Sequence, residues 1–473
     1  MNDTRSGQAK ARAGCVQQVE TYVQRCVQEI EAKEERRGAG PDPKGPGRPL
    51  ELPKVALWSG LLLCVLQGAR GVREVWRYLV LQGYDICDQT LYDRLEQEGT
   101  AWLEQFFAQI TAMLTAWLKP LVEQQPWFPL ATFATDVLAL DETTLDPVAR
   151  KLPIWRQLKK GAGELLPGKL AGLYDVRLQL WRRIDYLPEA VQNCKVHATT
   201  MLTGLAQGTL LLFDLGYFSF EWLDELSLRK YWFVCRLREK TSYTVLHPFY
   251  AFDEVFDGVV WLGNYQAQAG QAVRLVRFRV GALSLTYLTN VLDPTVLPIQ
   301  EIAQLYARRW DIELAFLLLK EHLGLHLWWS SKVAVILVQV WACLILAQLL
   351  QAVRLEIACR AQVEPFEVSM PLLVTHLPHL LAVEQDPIAT CVQRGRQLGL
   401  LRPSSRTRVQ GPVVAAEQIQ PLPTGMVLTR LPKYPHDPGQ PGRKGRQRRQ
   451  ASSSPPTWGP QGLTAAGYAC LLS

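Results

Sequence analysis

Residues 209–213 read TLLLF and are followed at once by Asp214. A strand with one wet face alternates apolar and polar side chains. An unbroken apolar run belongs to a strand covered on both faces, which means a sheet with helices above and below it. Residues 137–140, VLAL, form a second such run and lead into Asp141. A side chain at the end of a buried strand emerges into the crevice where α/β sheets hold their ligands. One Asp in that place means little, because Asp often begins a turn. Two in one candidate domain make Asp141 and Asp214 candidates for chemistry. Asp136 rivals Asp141, but it begins its apolar run rather than ending it.

The surrounding pattern completes an α/β reading. Residues 172–180 and 182–187 suit a strand pair, 190–205 a helix, and 231–237 a further strand. Segments 243–246, 259–265, 273–280 and 284–291, separated by Gly and polar turns, predict a β-rich stretch. Helices are expected again from residue 298 to about 398. Upstream, Val16, Val19, Val23, Cys26 and Ile30 follow helical spacing, which suits either a pairing surface or an ordinary bundle helix. Residues 38–49 read as a linker. Within a helical region, residues 72–81 and 88–98 around Gly83-Tyr84-Asp85 suggest a helix-turn-helix. Asp88 would cap its second helix, whose exposed face would carry Gln89, Tyr92, Asp93 and Arg94. Any bundle contains such a pair, and Asp93, Glu96 and Glu98 oppose phosphate binding.

The expected divisions are an N-terminal amphipathic helix (1–37), a linker (38–49), a helical region (50–130) that the helix-turn-helix would make DNA-binding, an α/β domain (131–330) with a β-rich stretch at about 238–297, a C-terminal helical region (331–415) and a disordered basic tail (416–473). The tail carries Arg443, Lys444, Arg446, Arg448 and Arg449 among Pro, Gly and Ser. A net charge of +7 permits a polyanionic partner without requiring one. The ten cysteines include no C-x-x-C pair, so reduced, buried thiols of a cytosolic protein are expected rather than a zinc ribbon or disulfide framework. His376 and His379 flank Pro378 with no third ligand near, which argues against zinc. The N-terminus lacks the apolar core of a signal peptide. Residues 333–353 approach the length of a membrane span, but Gln339, Gln348 and Gln351 interrupt them. A buried core helix is expected, and no membrane partner.

The sharpest signal is residues 306–320, YARRWDIELAFLLLK. At about 100° per residue, Tyr306, Arg309, Glu313 and Lys320 fall within about 60° of one another around a helix. One face then presents a phenol, a guanidinium, a carboxylate and an ammonium group, with Ile312, Leu314, Phe316, Leu317 and Leu319 free to anchor the helix. Asp311, about 200° from Glu313, faces elsewhere.

These residues resemble the insertion-sequence DDE transposases, whose signature Y-x(2)-R-x(3)-E-x(6)-K is met by Tyr306, Arg309, Glu313 and Lys320. At about 5% per letter, chance gives this spacing in about three of every thousand chains of this length, so coincidence is a poor explanation. LALDETTL around Asp141 and LLLFDLGYFS around Asp214 are similar to the family's first and second carboxylate segments, as are YWFVCRLR and YLTNV to others. Glu142 departs from the pattern, which often has a small residue there; as the strand neighbour of Asp141 it should point to the opposite face.

The resemblance implies an RNase H-like core that gathers Asp141, Asp214 and Glu313 as catalytic metal ligands, with Tyr306, Arg309 and Lys320 on DNA phosphates. Phosphodiester cleavage needs an activated water and a stabilised leaving 3′ oxygen, and a pair of divalent ions about 3.5–4 Å apart serves both. Two Asp and one Glu suit Mg²⁺, with Mn²⁺ able to substitute, because hard cations take oxygen ligands. The implied partners are double-stranded DNA (terminal inverted repeats and target DNA) and a second copy of the chain in the DNA-bound complex.

Overall fold

A computed structural model describes residues 52–127, 130–145, 168–189, 192–264, 266–382, 386–404 and 409–434. The expected N-terminal helix, the linker at 38–49 and the basic run at 443–449 lie outside the described residues.

Among the described residues one sheet of nine strands has the order β3-β2-β1-β4-β5-β9-β8-β7-β6. Its first half comprises β1 (Val137–Thr144), β2 (Lys169–Asp175), β3 (Leu180–Leu187), β4 (Leu210–Phe213) and β5 (Trp232–Arg236). β1, β4 and β5 run parallel, and β2 lies antiparallel between β1 and β3. That order is an RNase H-like core. The β-rich insertion supplies β6 (Tyr243–Phe252), β7 (Val255–Leu262), β8 (Val273–Val280) and β9 (Leu283–Thr289). Because β9 pairs antiparallel with β5, the insertion prolongs the same sheet.

The unbroken apolar runs are explained by the layers. Val137 and Ala139 of β1, with Leu210 and Leu212 of β4, belong to the core shared with the C-terminal helices. Leu138, Leu140, Leu211 and Phe213 belong to the core on the other side. There α5 (Cys194–Met201) and α6 (Phe220–Leu228) close the sheet; α1–α4 are Lys54–Leu66, Val72–Leu81, Asp88–Glu98 and Ala101–Glu123. The first side carries α7 (Ile299–Arg308), α8 (Asp311–Leu317) and α9 (Val333–Ala361). Next in the chain come α10 (Met370–Ala382) and α11 (Pro387–Arg394).

Helix α9 is long and apolar enough to cross a bilayer, yet it is mostly buried inside the protein. Its glutamines are what fasten it. Gln348 accepts from the Trp181 amide at 2.9 Å and donates to the Trp181 carbonyl and to Thr111 Oγ1, so it continues the hydrogen bonding of β3. A buried amide must be paired in this way, and a lipid-facing helix would have no such partners. In the insertion, Arg274 forks onto Asp257 at 2.6 and 2.7 Å and also donates to the Leu297 carbonyl, one residue before the N-cap of α7.

Four expectations change. The second helix of the helix-turn-helix pair is capped by the Cys87 sulfur, which accepts from the Thr90 amide, rather than by Asp88. Its supposed reading face is engaged: Arg94 is buried on the Leu52 carbonyl, and Tyr92 hydrogen-bonds Ser330. Of the expected anchors Ile312, Phe316 and Leu319 are buried, joined by Ala315, whereas Leu314 and Leu317 stay exposed. Within the stretch expected as a disordered tail, residues 416–434 are ordered. Ala272 and Arg430 amides donate to Leu428 and Gly270 carbonyls, and Ile419, Leu422 and Leu428 pack on Phe249 and Val259. Pro and Gly ended the periodicity there, but extended chain bonded to the rim of a sheet needs no periodicity.

Candidate active site

The parallel pairing of β1 and β4 stops at Leu140–Phe213. Asp141 and Asp214 are therefore the next residues on two neighbouring strands, whose backbones lie about 4.8 Å apart. By strand alternation both carboxylates continue the rows Val137–Ala139 and Leu210–Leu212, which face the helical layer of α7–α9. β1 itself runs on to Thr144 against β2 alone, so Asp141 does not end its strand as the apolar pattern suggested. It stands where the crevice between β1 and β4 opens.

Opposite Asp141 on β2 is Gly172. A Cβ there would lie 2.7 Å from the Trp181 ring and 3.3 Å from Phe316. The missing side chain lets Phe316 seat α8 closely over β2, beside the strand that carries Asp141. Glu313, one helical turn before Phe316, is brought to the carboxylate row by the same contact.

The segment 306–320 is not the single helix that its spacing predicted. At Arg309 and Trp310 the amides bond back three residues, to Tyr306 and Ala307, which tightens the turn and separates α7 from α8. From Leu318 to His322 the helix widens to a π turn, closed by the Leu323 amide on the Leu318 carbonyl. Such turns recur at functional sites. The four signature side chains still gather. Arg309 donates to Glu313 Oε1 at 2.6 Å and to Asp141 Oδ2 at 3.3 Å. Its guanidinium lies 5.9 Å from the Tyr306 ring centre. Lys320 donates to the Thr143 hydroxyl, two residues beyond Asp141 on the same face of β1. Asp214 is anchored locally by accepting from the Gly216 amide at 2.8 Å.

Burial pushes the Asp141 carboxyl up to about 7; the Glu142 amide and Arg309 pull it down, and the charges of Asp214 and Glu313 push it further up. Burial likewise pushes the Tyr306 phenol up to about 12. Three carboxylates that act on one another in a crevice call for positive charge. Their donor set, oxygens alone, fits a hard divalent cation. Among the described residues no three acidic, His or Cys side chains are drawn together closely enough to hold an ion as they stand. Arg309 is wedged between Asp141 and Glu313 and supplies the charge there.

Sequence reasoning passed over several neighbours. Arg236, at the end of β5, shares the face of Val234 and lies 5.5 Å from the Tyr306 ring. The alternation in WFVCR carried that signal. Arg238 is held over Phe218 and donates to the Leu215 and Phe218 carbonyls, beside the Asp214 turn. Glu142 turns to the opposite face, as strand alternation required, and receives Lys169, whose side chain is only 3% exposed. Asp311 faces away from Glu313 and accepts from Arg308 at 2.7 Å. Asp136, the rival for the first carboxylate position, sits 3.6 Å from Arg182.

Residues 133–349 match the family model described as Transposase DDE domain. A Sinorhizobium fredii (strain NBRC 101917 / NGR234) protein, "Putative transposase y4zB", is 25% identical over 244 residues, which cover 50% of this chain. The match spans 64% of the length of that relative. A solved structure, the cryo-EM synaptic complex of piggyBac transposase with hairpin DNA, aligns over 83% of this chain and 85% of its own, at 8% identity and a TM-score of 0.37. That likeness is too loose to place any residue.

Proposed function

Residues 133–349 belong to the transposase DDE domain family, and from that premise we propose that the chain cuts and joins DNA at the ends of a mobile element. Asp141, Asp214 and Glu313 are the proposed catalytic carboxylates and the holders of the divalent metal on which such domains depend, two Mg²⁺ ions with Mn²⁺ able to substitute. Bound there, the metal supplies Lewis acidity to the phosphate and lowers the pKa of water. Everything else falls to the side chains. Arg309 offers a planar fork and Lys320 a point charge for phosphate oxygens, and Tyr306 donates a hydroxyl. Arg236 adds a fourth donor beside Tyr306. When DNA phosphate takes Arg309, Glu313 and Asp141 lose their internal counter-charge and become available as ligands. Substrate binding and completion of the carboxylate set are thus linked in one residue.

The observation that carries this reading is the register: Asp141 and Asp214 are the first residues beyond the last pair of two parallel strands, and Arg309 ties Glu313 to the first of them. The proposed substrates are terminal inverted repeats and target DNA, and the working form is a dimer on two ends.

A strand-transfer assay tests it. Purified protein is given an element end with a pre-cut 3′ hydroxyl, a target plasmid and Mg²⁺. Joined product is expected, and none from Asp141→Ala, Asp214→Ala or Glu313→Ala, each of which should still bind the end. Nicking without joining would make the chain a nuclease of the same fold. Binding without either reaction, in Mg²⁺ and in Mn²⁺, would make it a silent DNA-binding protein.

A further inference from the structure

The side of α8 turned away from Glu313 borders a second cavity, of about 210 Å³, walled also by α9 and by the chain around residues 366–371. Two of its groups are poorly provided for. Arg354 of α9 is 7% exposed, and its described acceptors are both neutral: the Pro365 carbonyl at 2.7 Å and the Gln351 amide oxygen at 3.3 Å. Its guanidinium lies 4.6 Å from the Phe366 ring centre, and burial draws its pKa down. A buried cation among neutral partners is costly. The carboxylate on the same wall, Asp311, attracts Arg354 by its charge but already accepts from Arg308 at 2.7 Å and from Gln179 at 2.9 Å. The second group is Ser369, 6% exposed, whose buried hydroxyl has no hydrogen-bond partner among the described residues. Arg402 lines the cavity as well.

We propose that this cavity is a binding site for a small oxyanion, a phosphate or carboxylate group, gripped by Arg354 and Ser369 with Arg402 adding charge. An oxyanion would give Arg354 the charged acceptor that it lacks and Ser369 the acceptor for its proton, and charge-assisted bonds of this kind are the strong ones. The volume suits a small molecule rather than a duplex. The site is separate from the carboxylate row, so its existence does not depend on the transposase reading.

The test is thermal unfolding of the full chain titrated with sodium phosphate and, separately, sodium acetate, against sodium chloride at equal ionic strength. A saturable rise in Tm is expected with at least one oxyanion and not with chloride, and which of the two acts names the ligand class. Ser369→Ala removes a hydroxyl with no partner, so its Tm in anion-free buffer should match the wild type while the half-saturating anion concentration rises about tenfold. Lys320→Ala should leave the effect intact, which separates this cavity from the DNA-facing side. Arg354→Lys, which keeps the charge but loses the fork, should weaken binding as well. No saturable shift with either anion would overturn the proposal. So would a shift that Ser369→Ala leaves untouched or that Lys320→Ala abolishes.

Discussion

Asp141→Asn should make the metal-free protein more stable at pH 8 while destroying its activity. Burial first, then the nearby carboxylates, hold the Asp141 carboxyl at about 7, against an ordinary value of 3.8. Between those values the folded protein binds a proton that the unfolded chain has lost. The folded state binds more protons, so stability falls as pH rises through the window from about 4 to 7 and is flat above it. Three pH units at about 1.4 kcal/mol each give an upper bound of about 4 kcal/mol. The side chain is 17% exposed and the site can relax, so about 2–4 kcal/mol is the expected range. Asparagine never ionises and escapes this cost. Urea unfolding followed by tryptophan fluorescence in EDTA, at pH 4 and pH 8, measures the gap between variant and wild type. Asp175, which burial pushes up to about 6, titrates in both proteins and cancels in the difference. The gap should be near zero at pH 4 and open fully by pH 8, and Mg²⁺ should then narrow it by stabilising the wild type alone. A gap that is absent, or equal at both pH values, would refute the claim that ionised Asp141 is held at a cost.

Three further outcomes concern the scaffold. Arg274→Met strands the buried Asp257 carboxylate (3% exposed) and should cost about 3–5 kcal/mol in denaturant unfolding, most of it recovered when Asp257→Leu is added. Gly172→Ala forces the Trp181 and Phe316 rings apart and should cost about 1–3 kcal/mol; it should also depress strand transfer, and full activity would mean that α8 does not need this close approach. Arg430→Ala removes three bonds, to the Leu262, Gly263 and Ala269 carbonyls, and should cost about 1.5–3 kcal/mol. Its signature is faster hydrogen exchange at Gln268, Ala272 and Lys433 with the amides of β1 and β4 unchanged.

The parts of the fold that were legible in the sequence are those where one physical rule acts alone. Residues 210–213 and 137–140 are apolar because both faces of β4 and β1 are covered, and no local feature competes with that. The interruptions of residues 333–353 by glutamine were equally readable, because a buried amide must find partners and Gln348 finds them on Trp181 and Thr111. The spacing of Tyr306, Arg309, Glu313 and Lys320 predicts that these side chains gather, and they do, for a partly different reason. A uniform 100° per residue fails at Arg309–Trp310 and again at Leu318–His322, and these two errors leave the cluster intact. Exposure was less legible. Leu314 and Leu317 have helical spacing suited to a core, but the space beside them is the mouth of a cavity. The ordered segment at 416–434 carries no periodic signal, because its order comes from the edges of the insertion and not from itself. Arg94 and Tyr92 were misjudged for a related reason: the chain that covers them, at Leu52 and Ser330, is remote in sequence.

The central claim is that Asp141, Asp214 and Glu313, from β1, the end of β4 and α8, can close on shared metal. Loading the protein with Fe²⁺ and adding ascorbate and peroxide cuts the backbone wherever it passes close to the bound iron. The account predicts cuts at three places, around residues 141, 214 and 313, all suppressed together by excess Mg²⁺ and all lost in any one of the three alanine variants. Cuts that leave out one of these segments, or that survive the loss of one carboxylate unchanged, would contradict it.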